Sequence, residues 1–322
     1  MHRRPNYRRD VEVGPSMRSH ALSALLRLTL GRPLSDDDDV VALRRQYEKL
    51  DGRQFNVRPP VERTATEVGG VPCEWIVAPE TRFERVILYL HGGSFAFRFP
   101  NAHASLAARL CRRLRARALI PDYRLAPECP FPSAPDDCHA VYRALLAQGV
   151  DPRNIVLAGD SAGGNLALVT LYRARAAGEP LPACAVLLSP ALDCTLVSPS
   201  IATFDGSDPM IRLASLMVLR RLYVPPAYEY TNPEVSPLYA DFRGFPPLFL
   251  QVGSTELLRD EATRAADKAF AAGVDVECEL WPGAPHVFQL AEFLPEARLA
   301  VDHIVRFVRM RAGWPEPGVQ WP

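Results

Sequence analysis

A chain of 322 residues with 48% apolar side chains can bury a substantial core as one large α/β domain or two average ones, which excludes disorder as its default state. Its 37 Lys+Arg balance its 37 Asp+Glu, and beyond the basic first ten residues no positive stretch would attract nucleic acid or an anionic membrane. A small-molecule substrate fits this charge balance better.

In chain order, residues 19–50 read as helical. The run ALSALLRLTL is followed by a break at Gly31-Arg32-Pro33 and a second helix from Val40. Between them, Ser35 and Asp36 to Asp39 offer an N-cap and negative charge for the second helix's dipole. A metal site is the weaker reading, because consecutive aspartates point in different directions. Short strands are predicted at 64–68 and 72–77, then a buried one at 86–90 (VILYL) that leads into HGGSF at 91–95. Helix 102–115, strand 118–123, helix 136–147, strand 154–158, helix 162–177 and strand 183–188 follow. Strands that are apolar throughout, alternating with helices, indicate a mostly parallel sheet covered on both faces. The rhythm breaks at 194–233, which holds a helical run at 211–223, and resumes with strand 247–252, helix 256–272, strand 274–281 and helix 295–311.

That interruption suits a lid over the carboxyl edge of the strands, where ligands bind in such sheets. The expected division is an N-terminal helical cap segment over 1–55, a catalytic domain over 56–193 and 234–322, and an inserted cap segment over 194–233. Seven cysteines without a CxxC pair read as free thiols in a reducing compartment. The apolar stretch near the start is short and interrupted by Arg27, so neither a signal peptide nor a membrane span is expected, and the chain reads as cytoplasmic.

GDSAG at 159–163 lies between a strand and a helix, the context in which G-x-S-x-G forces its serine into a sharp turn with the hydroxyl exposed. A helix N-cap with small neighbours is the competing reading of Ser161. A serine hydroxyl is a weak nucleophile and needs a base, which in turn needs an orienting acid. In the order serine, acid, histidine only His286 and His303 follow Ser161. His303 falls within the last helix, whereas His286 sits in the proline-bounded loop WPGAPHVF after a strand. For the acid, Glu256, Asp260 and Glu261 follow the strand LFLQV. Glu256 is nearest its end and is preferred; Asp260 lies a full turn further on. The amide of Ala162 supplies one donor for an oxyanion, and the HGGSF loop should supply the others.

Together, HGGSF, DYRLAPE at 122–128, FPSA at 131–134, GDSAGGNLA at 159–167, the ELLRDE segment and His286 resemble the hormone-sensitive lipase family of α/β-hydrolases, over about residues 60–310. The resemblance implies the α/β-hydrolase fold with a helical cap, and a cofactor-free carboxylesterase acting on short- to medium-chain esters. It also points to a homodimer formed through the last edge strand, 274–281, and to His91 as a loop-ordering residue rather than the base. The chain departs from the family in reading HGGS for HGGG and in using glutamate as the acid. On this reading Ser161 attacks, His286 shuttles the proton, Glu256 orients it, and the amides of Gly92, Gly93 and Ala162 bind the oxyanion. A lactonase or amidase would use the same machinery, while a non-catalytic receptor of the same fold is disfavoured by the retained His286. Phe95, Phe97 and Phe99 either line the pocket or pack the cap; Met210, Ile211 and Leu213 are candidate cap contacts. Ser94 either braces its loop or touches the substrate.

Overall fold

The computed structural model describes residues 7–30, 32–55, 57 and 60–315. Gly31 of the expected helix break and the first six residues lie outside them. The elements are β1 (Arg8–Asp10), α1 (Met17–Leu30), α2 (Val40–Gln54), β2 (Glu62–Val68), β3 (Val71–Val77), β4 (Val86–Leu90), α3 (Pro100–Leu114), β5 (Arg117–Pro121), α4 (Ser133–Ala147), β6 (Ile155–Asp160), α5 (Ala162–Ala176), β7 (Cys184–Leu188), α6 (Pro199–Phe204), α7 (Leu213–Tyr223), β8 (Leu248–Gly253), α8 (Arg259–Ala271), β9 (Val276–Trp281) and α9 (Pro295–Arg311). The strands form one sheet in the order β1-β9-β8-β7-β6-β4-β5-β3-β2. Among the described residues only the β2–β3 and β3–β5 pairings are antiparallel.

The unbroken apolar strands serve two cores at once. In β4, Val86, Leu88 and Leu90 face a cluster that includes Val141 of α4, Leu166 of α5 and Ala262 of α8. Ile87 and Tyr89 face the opposite cluster, with Leu106 of α3 and Ile304 of α9. A side-chain period of two divides the strand between two helical layers, so neither face carries a polar stripe.

Asp39 caps α2 by accepting from the Ala42 amide at 3.0 Å, so the acidic run begins a helix as its residues imply. The lead and the insertion pack on each other and on the loop after β4. Val40, Ala96, Phe97 and Leu219 share a small apolar cluster, and the Leu34 amide donates to Ser215 Oγ at 2.9 Å.

One expectation needs correction. Residues 8–10, which precede the helical run read from residue 19, form a strand of the sheet, paired parallel with β9 through Arg8 with Cys278 and Asp10 with Leu280. Strand β9 is therefore not the sheet's edge, and the pairing surface invoked for a homodimer is already occupied by the chain's own β1. Among the described residues no helix is long and apolar enough to cross a membrane.

Candidate active site

Ser161 stands between β6 and α5 with φ 51° and ψ −119°, a conformation that non-glycine residues rarely adopt and that turns a strand abruptly into a helix. Its amide is tied to the Leu188 carbonyl of the neighbouring strand at 2.8 Å. The motif's last glycine is required by proximity: a Cβ on Gly163 would lie 1.9 Å from the Leu90 carbonyl oxygen. Any side chain there would push α5 away from β4 and open the turn.

His286 follows β9 in its loop and is buried, with Nδ1 2.7 Å from Glu256 Oε2. Glu256 itself lies in the turn between β8 and α8, three residues before the helix starts. Burial opposes the charged imidazolium, yet the charge and hydrogen bond of Glu256 outweigh it and hold the His286 pKa above its ordinary value. Facing a carboxylate, Nδ1 carries the proton, which leaves Nε2 as the lone-pair nitrogen. The other carboxylates point elsewhere. Asp260 pairs with Arg259 at 2.8 Å, and Glu261 accepts the Leu192 and Asp193 amides. His303 pairs with Glu279 at 2.9 Å, away from this loop. Among the described residues no hydrogen bond joins the Ser161 hydroxyl to His286; the histidine and its acid are engaged, while serine and base are not. Catalytic bonds of this kind are commonly loose until substrate arrives.

Sequence reasoning missed Ser189, just past the end of β7. Its hydroxyl donates to Glu256 Oε1 at 2.8 Å and accepts the Val287 amide at 3.2 Å, so a single side chain fixes both the acid and the residue after His286. The Gly253 amide donates to the same Oε1. Ser189 and Val287 both have positive φ, 44° and 48°. For the β-branched valine this is real strain, held by the surrounding bonds. A serine-proline pair after a strand was the only trace of this in the sequence.

In the HGGSF loop, the Gly92 amide donates to Asp160 Oδ1 at 3.1 Å. It is thereby committed, which removes it from the expected oxyanion donors. The amides of Gly93, Ser94 and Ala162 have no acceptor among the described residues. Gly93 has φ 123°, and a Cβ there would meet the Phe97 carbonyl oxygen at 2.1 Å, so only glycine fits. Ser94 sits at φ 53°, within the small left-handed region open to other residues at a cost of about 1–2 kcal/mol.

Asp160, which precedes the serine, also accepts Tyr89 OH at 2.8 Å and faces His103 Nε2 at 3.3 Å. Burial would raise its pKa, but the charge and hydrogen bond of His103, with the Tyr89 bond, hold it below the usual carboxylate range. His91 donates from Nδ1 to the Gly92 carbonyl at 2.8 Å and stacks on Tyr123 with ring centroids 4.1 Å apart. Burial, reinforced by the neighbouring His103, pushes its pKa down to about 4 and keeps it neutral. It is engaged in the loop, not with Ser161.

Beside Ser94 lies a cavity of about 50 Å³ lined by Phe95, Ala191, Leu216, Leu219 and Tyr223. Phe95 serves both purposes proposed for it, lining this cavity while stacking on Tyr223 of α7 with centroids 3.7 Å apart. Phe97 and Phe99 pack instead against Tyr47 of α2. Met210 and Ile211 hold the Asp208 carboxylate through their amides, and Leu213 begins α7; none of the three lines the cavity.

Residues 87–290 match a family described as having the alpha/beta hydrolase fold. An acetyl-hydrolase of Streptomyces hygroscopicus is 40% identical over 76% of this chain and 82% of its own length. An esterase of Acinetobacter venetianus is 34% identical over 92% of this chain and 98% of its own. The crystal structure of an esterase from the bacterial hormone-sensitive lipase family superposes with a TM-score of 0.86 at 40% identity, covering 94% of this chain and all of that one.

Proposed function

We propose, for a chain that belongs to the hormone-sensitive lipase family of α/β-hydrolases and is a carboxylic ester hydrolase, that turnover runs through an acyl-enzyme on Ser161. His286 Nε2 takes the serine proton as the hydroxyl attacks the ester carbonyl, then returns it to the leaving alcohol. Glu256 keeps the imidazole in the tautomer with its proton on Nδ1 and stabilises the imidazolium. The developing oxyanion is received by the free amides of Gly93, Ser94 and Ala162, with Gly92 bracing them through Asp160. Water, activated by the same histidine, then releases the acid. The observation that carries this reading is the 2.7 Å bond between buried His286 and buried Glu256.

The small cavity beside Ser94 favours short chains for the half of the ester that enters it. The test is chemical trapping. Acid quenching within the first turnovers on p-nitrophenyl butyrate should give a mass increase of one butyryl group on the peptide containing Ser161. A burst of nitrophenol with no adduct on that peptide would overturn the assignment.

The pH profile should carry the mark of the pair. His286 acts as base only when neutral, so kcat/KM falls as pH drops through its pKa, which Glu256 holds above the ordinary imidazole value. The acid limb of log kcat/KM should therefore have its midpoint above about 6.5. In Glu256→Gln, burial acts without the compensating charge, and the midpoint of the His286 titration, read by NMR of the imidazole, should move down. An unchanged midpoint would remove Glu256 from this role.

A further inference from the structure

A second concave surface lies against α3, between the end of α2 and the segment that joins the His286 loop to α9. It is an open groove of about 730 Å³. Helix α3 presents Ser105, Ala108, Arg109 and Arg112 to it, a spacing of three and four that makes one helical face. Arg53 of α2 and Arg298 of α9 add two more guanidiniums, and Glu292 is the single carboxylate in its lining among the described residues. Four positive charges thus face one negative charge.

Their pairing is incomplete. Arg109 is buried at 9% exposure; its Nη2 donates to the Gln289 carbonyl at 2.6 Å, but Nε and Nη1 have no partner among the described residues. Burial of this uncompensated charge lowers its pKa, with Glu292 offsetting only part of the effect. A buried guanidinium without full pairing is costly, and proteins retain one chiefly where an anion completes it. Arg53 and Arg112 make no hydrogen bond or ion pair among the described residues, and Arg298 donates from Nε to the Glu292 carbonyl at 2.9 Å. The remaining wall is apolar: Phe55, Val57, Leu290 and Phe293 line it, and Phe293 is 49% exposed.

From this juxtaposition of incompletely paired arginines and an apolar wall, we infer that the groove is a binding site for an amphiphilic carboxylate, with its head on Arg109, Arg112 and Arg298 and its hydrocarbon tail along Phe55 and Phe293. The ligand class coincides with the acid that ester hydrolysis releases; that identification of its source rests on the function proposed above, whereas the site does not. A bare inorganic anion would use the charges and leave the apolar wall idle.

Calorimetric titration with sodium octanoate, at fixed ionic strength, tests the site against 1-octanol and sodium phosphate. Wild-type protein should bind octanoate saturably and more tightly than either control. Arg112→Gln and the double variant Arg112→Gln/Arg298→Gln should lose affinity, the double at least tenfold; both side chains are exposed, so neither change threatens folding. Ser161→Ala should bind octanoate at this groove as the wild type does. Equal octanoate affinity in the double variant would mean that the acid occupies only the ester site and would overturn the proposal. So would phosphate or octanol binding as tightly as octanoate. Failure of the esterase mechanism would appear separately, as turnover surviving in Ser161→Ala.

Discussion

Ser161→Ala should lower kcat for p-nitrophenyl acetate by about 10⁴- to 10⁶-fold while leaving the melting temperature close to that of the wild type. The size of the loss follows from the unit the serine belongs to. Without its oxygen there is no acyl-enzyme, and the His286–Glu256 pair has no proton to take. Residual rate would come from oxyanion binding and substrate positioning alone. The fold should tolerate the change, because what holds position 161 is its amide on Leu188 and its carbonyl, which accepts the Ala191 amide at 3.0 Å, and both survive in alanine. Stopped assays with burst-phase resolution, alongside thermal melts, check both halves. A variant with normal melting and more than about one-tenth of wild-type turnover would refute serine catalysis at this position.

Glu256→Gln should reduce kcat by about 10⁴-fold, because the surroundings dictate which way the new amide points. Oε1 of Glu256 receives two donors, the Ser189 hydroxyl and the Gly253 amide. In glutamine the carbonyl oxygen must take that position, or two buried donors would face an NH₂ group. The NH₂ then faces His286 Nδ1 and selects the tautomer with its proton on Nε2, which cannot accept the serine proton. Asp260→Asn, by contrast, touches only the pair with Arg259 and should leave kcat near wild type. Measuring both variants with circular dichroism as a folding control decides the acid. Loss of turnover in Asp260→Asn alone, with the fold intact, would assign it to Asp260.

Much of this was legible because the governing rules are local or periodic. The apolar strands announced a sheet buried on both faces, and G-x-S-x-G between strand and helix announced a turn that the Gly163 contact enforces. Chain order and a loop position separated His286 from His303. What stayed hidden depends on neighbours distant in sequence. The Gly92 amide looks like any donor in a glycine-rich loop until Asp160, 68 residues on, is seen to hold it. Ser189 acquires its role only where β7, β8 and the His286 loop converge. The helix after β8 begins at Arg259, not at Glu256, since the glutamate's carboxylate is drawn back onto its own strand end through Gly253. Three charged residues, Arg8 to Asp10, carry no apolar pattern at all; backbone pairing with β9 makes them a strand.

That short pairing has a bearing on how the molecule behaves in a crowded solution. A naked outer strand of alternating amides and carbonyls is a template on which any extended chain can grow, and β9 is a six-residue, largely buried strand in which Val276, Cys278, Leu280 and Trp281 are apolar. With β1 laid along it, the outward-facing rim becomes a three-residue segment, Arg-Arg-Asp, too short and too charged to recruit a stranger. β9 leads directly into the loop that carries His286, so the strand that this segment covers is the one that carries that loop. A few polar residues at the head of the chain thus act as a sacrificial margin, keeping the working part of the sheet out of reach of intermolecular growth.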